Sequence, residues 1–124
     1  FLFIKIKQIN QKEIYKNFYQ KMFDLIFNKI ELNMREIGYG DTVINKNMKF
    51  LVIAFYNILL NCENFNRKSL IFKRNFFSKY FEHINKKKKA NYVNLIEYFD
   101  KYEAFCLDLT LDSVLNGVLN FKYK

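Results

Sequence analysis

Apolar residues recur at helical spacing from the first third of the chain onward. One set recurs every four residues, at Ile14, Phe18, Met22, Ile26, Ile30 and Met34, and a neighbouring aromatic set contains Tyr15, Tyr19, Phe23 and Phe27. Such intervals place side chains on one face of an α-helix. Two adjacent stripes predict a helix that begins near Asn10 or Gln11, ends at Glu36 and packs against more than one neighbour.

The next segment, from Thr42 to Asn61, is apolar on nearly every side, which predicts a helix in the centre of the fold. Its polar residues fall mostly along one line and are Lys46, Lys49, Asn57 and Asn61. We expect this line to be the single edge that reaches solvent. The longest apolar run, Phe50 to Leu60, is too short to cross a bilayer, so no transmembrane helix is predicted.

Helical spacing returns twice in the second half of the chain. It predicts a helix from Leu70 to Ile84, capped by Ser69 or Asn66, and another from Asn91 to Cys106. Other expectations are a connection at residues 64–67, a solvated loop at Lys86 to Lys89, a short turn capped by Thr110 that ends at Gly117, and an extended segment from Val118 to Phe121.

A glycine corner separates the first two long helices. Arg35 and Glu36 close the first, Gly38 supplies the left-handed backbone that ends it, and Asp41 or Thr42 can cap the second. A well-made helix connection explains these residues without any function. No strand precedes the glycines, so a phosphate-binding loop is not predicted.

Composition supports one helical domain. The chain has 124 residues, no proline and three glycines, and 51% of its residues are hydrophobic and 19% aromatic. This composition excludes a disordered chain and favours bulky buried rings. We therefore predict a single all-α domain, an irregular bundle of four to five helices.

The charge pattern leaves two interpretations open. A formal net charge of +9 suits nucleic acid, a ribosomal surface or anionic lipid. The abundance of Lys, Asn, Ile, Phe and Tyr is also what an AT-rich genome produces regardless of function.

The sequence lacks the combinations of residues that catalysis requires. His83 is the only histidine and has no nucleophile or metal ligand at meaningful spacing. Cys62 and Cys106 form no CxxC pair, so they are predicted to be free buried thiols in a reducing compartment. No catalytic residue, metal or cofactor is expected.

An ordered motif surrounds the corner. Met34-Arg35-Glu36-Ile37-Gly38-Tyr39-Gly40-Asp41 is followed by Lys46, Lys49 and Ala54-Phe55-Tyr56, and later segments are Phe72-Lys73-Arg74-Asn75-Phe76-Phe77 and Leu111 to Phe121. From about Tyr19 to the C-terminus, this pattern resembles the ubiquinol-cytochrome c chaperone family. Members of that family carry helical sequence upstream, so we expect Phe1-Leu2-Phe3-Ile4 to be the tail of a helix and the domain to be N-terminally incomplete.

The resemblance implies a non-enzymatic chaperone for newly synthesised cytochrome b during assembly of the cytochrome bc complex. It implies a soluble or peripheral protein on the cytoplasmic side of a bacterial inner membrane or the matrix side of the mitochondrial one. In the mitochondrial branch a small helper protein and the ribosome are further expected partners, and no DNA is expected. The partner-binding residues implied are Arg35, Glu36, Gly38, Gly40, Asp41, Lys46, Lys49, Tyr56, Arg74 and Asn75. Lys73, beside Arg74 and Asn75, is expected to extend a basic edge. For Tyr56, a place in the core is the alternative to a place in a client groove.

A different class of protein fits the charge as well. A small basic helical module that binds the ribosome or other nucleic acid would gather its lysines and arginines on one face, and its affinity would fall steeply with salt.

Overall fold

The computed structural model describes residues 1–8, 13–81 and 92–123. Within these ranges all regular secondary structure is helical, which confirms the predicted all-α class. The described residues form six α-helices, more than the four to five predicted. They are α1 (Leu2–Gln8), α2 (Glu13–Ile37), α3 (Asp41–Cys62), α4 (Leu70–Phe81), α5 (Val93–Asp108) and α6 (Leu111–Leu115), with a 3-10 turn at Phe65–Arg67.

The described helices lie close to their predicted positions, and the predicted connection at residues 64–67 is largely the 3-10 turn. His83 and the Lys86 to Lys89 run lie outside the described residues. The backbone contacts divide the chain into two compact units, Leu2–Leu60 and Asn61–Lys124 together with Phe1, and each is described by itself. The prediction of a single domain stays a prediction.

Aromatic rings from three helices form the core of the first unit. Phe3 of α1 lies edge-on to Tyr19 of α2 and to Phe55 of α3, each at a centroid distance of 5.0 Å. Phe27 of α2 lies edge-on to Phe55 at 5.4 Å. Aromatic pairs prefer such T-shaped arrangements, and each ring also removes a large apolar area from water. Phe55 is therefore the side chain through which α3 joins this core.

The prediction that α3 is a central helix is wrong. Its buried residues are Ile44, which is fully enclosed, and Cys62, whereas Phe50 is 70% exposed, Ile53 63% and Leu60 61%. The α1 and α2 rings that contact α3 lie on its Phe55 and Tyr56 side. A helix that is apolar on every side can still pack against other helices on one side only, because its own composition does not determine how many helices surround it.

The prediction about membrane spans also needs correction. By length and composition alone, α3 is long and apolar enough to cross a membrane, with a mean hydropathy of 1.3 over its most apolar window, of which 6% is buried. The run from Phe50 to Leu60, which Asn57 interrupts, is shorter than the apolar part of α3, because a spanning helix tolerates a few polar residues within a longer stretch.

The second unit is built around Phe65 and Phe77, whose side chains are completely buried. Phe77 lies perpendicular to Phe99 of α5 at 4.9 Å, and Phe65 contacts the same ring at 5.6 Å. Phe1 also packs edge-on against Phe99, at 5.5 Å. The bulky aromatic core expected from composition is present in both units.

Two predicted helix caps are confirmed in the second unit. The Ser69 hydroxyl accepts a hydrogen bond from the Phe72 amide at 3.2 Å, and the Thr110 hydroxyl accepts one from the Ser113 amide at 3.2 Å. Each cap satisfies a backbone donor that has no partner within the first helical turn. After α6 the backbone of residues 118–123 forms no regular structure, and the Phe121 ring packs on Tyr102 at 5.1 Å.

A buried charge network holds the 3-10 turn. The carboxylate of Glu103, itself 5% exposed, accepts hydrogen bonds from the amides of Phe65 at 3.0 Å and Asn66 at 2.7 Å. The Lys73 ammonium donates to both oxygens of Asp100, at 2.8 and 2.9 Å, and to the Asn66 carbonyl at 3.3 Å. Lys73 is 6% exposed, so the expectation that it extends a basic edge beside Arg74 is wrong.

Both cysteines are free and buried, as predicted. Burial, with a smaller contribution from the nearby Glu103 carboxylate, raises the pKa of the Cys62 thiol to about 11, against an opposing effect of the N-terminal ammonium. The thiolate is the reactive form of cysteine, so Cys62 is an inert core thiol at neutral pH.

Candidate functional site

The corner between α2 and α3 is a Schellman motif. The Gly38 amide donates to the Arg35 carbonyl at 3.0 Å, and the Tyr39 amide donates to the Met34 carbonyl at 3.1 Å. Gly38 has a φ of +103°, a left-handed conformation that glycine adopts without steric cost. The predicted role of Gly38 as the end of the helix is confirmed.

The start of α3 differs from the prediction. The Gly40 carbonyl accepts the first hydrogen bond of α3, from the Ile44 amide at 3.0 Å, so Gly40 takes the N-cap position instead of Asp41 or Thr42. The Asp41 carboxylate accepts a hydrogen bond from the Arg35 guanidinium at 2.5 Å. Asp41 therefore joins the two helices through a side-chain pair across the corner.

Arg35 links two carboxylates at this corner. Its guanidinium also donates to Glu31, one turn earlier in α2, at 2.9 Å. The hydrogen bonds to Asp41 first and to Glu31 second raise the pKa of Arg35. Of the predicted site residues, the structure thus brings together Arg35, Gly38, Gly40 and Asp41, with Glu36 exposed beside them. Their geometry is that of a structural corner, and a partner-binding role for them stays a prediction.

Lys46 and Lys49 lie on the exposed side of α3, as predicted for its polar edge. The same side carries large apolar residues, which the sequence analysis placed in the core. We call the exposed residues Val43, Phe50, Ile53 and Leu60 the apolar stripe; their exposed fractions are 45%, 70%, 63% and 61%. They recur at intervals of seven, three and seven residues, so they follow one side of the helix. A stripe with two lysines at one end suits an apolar partner that also carries negative charge.

Tyr56 is half exposed and is not a core residue. It lines a groove of about 320 Å³ within the first unit, together with Ile6, Lys7, Tyr15, Lys16, Tyr19 and Gln20. We call this site the tyrosine–lysine groove. Burial, and secondarily the neighbouring Tyr56, raise the pKa of Tyr19, so its phenol is an uncharged donor at neutral pH. The sequence predicts Tyr56 as a site residue but not the other lining residues, because α1 and α2 supply those.

Arg74 and Asn75 belong to α4 in the second unit, and both are exposed. Asn75 lines a smaller pocket of about 180 Å³ with Asn61, Phe72, Phe76 and Lys79. The neighbouring Phe76 is mostly core, in contact with Phe65 at 5.6 Å. The motif around Arg74 thus combines core rings with exposed polar residues.

The described part of the chain contains no group of three or more His, Cys, Asp or Glu side chains that could hold a metal ion. The polar side chains that do converge, at the corner and around the 3-10 turn, are already paired with one another or with backbone amides.

Taken together, the described residues form an all-helical protein with an exposed apolar helix side and a small groove that two lysines line. Residues 1–78 match the family described as Ubiquinol-cytochrome C chaperone, and the chain belongs to this family. The match begins at Phe1, earlier than the resemblance near Tyr19, and it stops before the Leu111 to Phe121 segment. No curated protein and no solved structure matches the chain. This family membership supports a chaperone role for the protein.

Proposed function

We propose that this chaperone receives newly synthesised cytochrome b and keeps it competent for insertion into the cytochrome bc complex, without catalysing a reaction itself. Membership of the family supports a client in that complex. A client made of apolar helices requires an apolar docking surface on its chaperone.

The apolar stripe of α3 is the observation that carries this proposal. Phe50, Ile53 and Leu60 are each more than 60% exposed on one side of a single helix. Fully burying a side chain of this kind contributes about 1.5–3 kcal/mol, so covering all three yields several kcal/mol towards association. Contiguous exposed apolar surface on a protein commonly marks an interaction site. An apolar helix of the client would shield the stripe from water and be shielded in return.

The proposed location is the membrane surface, on the cytoplasmic side of a bacterial inner membrane or the matrix side of the mitochondrial one. Lys46 and Lys49 lie beside the stripe and would face lipid phosphates while the stripe holds the client. Each basic residue close to an anionic membrane contributes about 1 kcal/mol. A small helper protein and the ribosome remain proposed partners, and the net charge of +9 supports contact with ribosomal RNA.

Pull-down of newly made membrane proteins with the full-length chaperone tests the client. Ile53→Ser should reduce the recovery of cytochrome b severalfold, because it places a hydroxyl in the middle of the stripe. Ile71→Ser in α4 is the matched control, since Ile71 is 71% exposed and lies in the other unit. Equal recovery with both variants would contradict docking on the stripe. Recovery of ribosomal RNA without cytochrome b, lost steeply with salt, would favour the nucleic-acid alternative.

The implied site residues need a separate experiment. Arg35→Gln and Lys49→Gln each remove one exposed positive charge, the first from the structural corner and the second from the side of the stripe. If both variants fold and assembly of the cytochrome bc complex proceeds at its normal rate, these residues belong to the scaffold and not to the partner-binding site.

A further inference from the structure

The tyrosine–lysine groove carries uncompensated positive charge. Lys7 of α1 and Lys16 of α2 both line it, and none of its seven lining residues is acidic. Among the described residues, neither lysine forms an ion pair. An anion held between them would meet two ammonium groups and several phenol hydroxyls as hydrogen-bond donors. The first requirement for a ligand is therefore negative charge.

The walls of the groove are apolar between these donors. Ile6 and the rings of Tyr15, Tyr19 and Tyr56 form most of the lining. A free inorganic anion makes no use of such rings, whereas an amphiphile places its charged group on the lysines and its apolar part against the rings. The second requirement is therefore an apolar portion next to the charge.

The three helices around the groove argue against an extended peptide as this ligand. An extended peptide binds by adding to a sheet edge, and here the three contributing elements are helices, whose interior backbone groups are already paired.

An apolar path leads out of the groove. Ile53 and Leu60 lie one turn before and one turn after Tyr56 on α3, and both are more than 60% exposed. An acyl chain could follow this path, because it needs no hydrogen-bond partner. The charged pocket and the apolar exit are thus joined at Tyr56.

We propose that the tyrosine–lysine groove binds the phosphate headgroup of an anionic phospholipid, with its acyl chains leaving past Tyr56 along Ile53 and Leu60. This inference deepens the membrane-surface location proposed above by assigning a lipid site to it. The acyl chains and the client share Ile53 and Leu60, so the lipid would cover this part of the apolar stripe until the client displaces it.

Vesicle flotation with the full chain tests the charge requirement. Phosphatidylcholine vesicles are compared with vesicles that also contain phosphatidylglycerol. Lys7→Gln combined with Lys16→Gln should lower partitioning onto the anionic vesicles roughly tenfold or more, because two headgroup contacts are lost. Lys21→Gln combined with Lys29→Gln is the matched control, since these α2 lysines are exposed, lie outside the groove and change the net charge equally. An equal loss for both pairs would overturn the proposal in favour of general surface attraction.

Tryptophan fluorescence tests whether the lipid binds in the tyrosine–lysine groove itself. The chain contains no tryptophan, so Tyr56→Trp introduces a unique fluorophore at the mouth of the groove. Its emission should shift to shorter wavelength with phosphatidylglycerol vesicles, and the shift should vanish when Lys7→Gln and Lys16→Gln are added. Tyr56→Phe, which keeps the ring, should retain partitioning within about threefold, since a single hydroxyl contact is lost.

Other anionic compounds, added in place of vesicles, test whether the bound anion is a lipid headgroup or a different anion. Lysophosphatidylglycerol should reproduce the Tyr56→Trp shift, and inorganic phosphate should not. A shift produced equally by phosphate, by heparin or by an acidic peptide in place of lipid would overturn the proposal. Recovery of cytochrome b is measured on the same variants: client binding without lipid preference overturns the lipid site alone, and lipid preference without client binding overturns the proposed function alone.

Discussion

At the scale of single residues, Gly38 is the position where the corner depends most directly on backbone conformation. Its φ of +103° is strained for any residue with a Cβ, although no atom lies within 4 Å of where that Cβ would stand. Gly38→Ser should therefore cost about 1–2 kcal/mol of unfolding free energy through backbone strain alone, measured by urea denaturation.

Gly40→Ser is the control for that prediction, because Gly40 has open space around it and no positive φ. Serine is a good N-cap residue, so this variant should be neutral or slightly more stable than the natural protein. Equal destabilisation by both substitutions would show that the corner does not depend on the left-handed conformation of Gly38.

Glu103 is the second residue on which local structure depends. Its carboxylate holds the amides of Phe65 and Asn66 in a nearly dry environment. Glu103→Ala should cost about 2–4 kcal/mol, because it leaves a buried donor without a partner. Glu103→Gln keeps one acceptor oxygen, so its unfolding free energy should lie between that of the unsubstituted protein and that of Glu103→Ala. Urea denaturation of these variants and of Glu97→Ala, at an exposed position of the same helix, checks this order.

These two residues differ in how far the sequence could predict them. Gly38 was identified correctly because a helix end is a local signal, with the glycine directly after the last apolar-periodic residue. Glu103 lies 38 residues from Phe65, and nothing in the sequence links the two. Lys73 was misassigned for the same reason, since its partner Asp100 becomes a neighbour only when α4 and α5 pack.

At the scale of helices, α3 has one buried side and one exposed apolar side, and the two should respond differently to the same substitution. Ile44 is fully buried, so Ile44→Ala should cost about 2–5 kcal/mol by removing buried methyl groups and leaving a cavity. Ile53→Ala removes the same atoms from an exposed position and should change stability by less than about 0.5 kcal/mol. Thermal and urea denaturation measure both. A large loss for Ile53→Ala would mean that the stripe is covered in the folded chain.

Hydrophobic periodicity located α2 and α3 closely, yet it could not say which apolar residues are covered. Periodicity reports which residues share a side of a helix, and covering that side depends on how many neighbouring helices exist. For α3 the neighbouring rings of α1 and α2 lie on the Phe55 and Tyr56 side. The stripe of Phe50, Ile53 and Leu60 was therefore predicted to be core, although it is the feature from which we argue function.

At the scale of the whole molecule, the class of fold and the family could both be predicted from the sequence, for different reasons. The absence of proline and the scarcity of glycine leave helices as the regular structure for a chain this apolar. The family was apparent from the ordered motif between Met34 and Tyr56, and the family match over residues 1–78 confirms it. The tyrosine–lysine groove could not be predicted, because its lining comes from three helices that are brought together only by folding.

Two groups in the second unit make the stability of the protein depend on alkaline pH. Burial raises the pKa of Cys62 from 9.0 to about 11, and burial together with Cys106 raises the pKa of Tyr102 from 10.0 to about 12. The native state thus keeps these protons at a pH where the unfolded chain has lost them. Their stabilising contribution is complete below pH 9 and is lost as the pH rises through about 11 for Cys62 and about 12 for Tyr102.

The urea midpoint should accordingly fall as the pH rises from 9 to 11, earlier than the titration of Tyr102 alone would allow. Cys62→Ala should flatten the plot of urea midpoint against pH between pH 9 and 11. Tyr102→Phe should flatten the same plot above pH 10. Both effects are expected whatever each substitution does to stability below pH 9. Comparing slopes instead of absolute midpoints separates titration from the packing cost of each variant. An unchanged slope in Cys62→Ala would show that the thiol ionises equally easily in the folded and unfolded chain, and hence that α3 does not hold its last residue in the core.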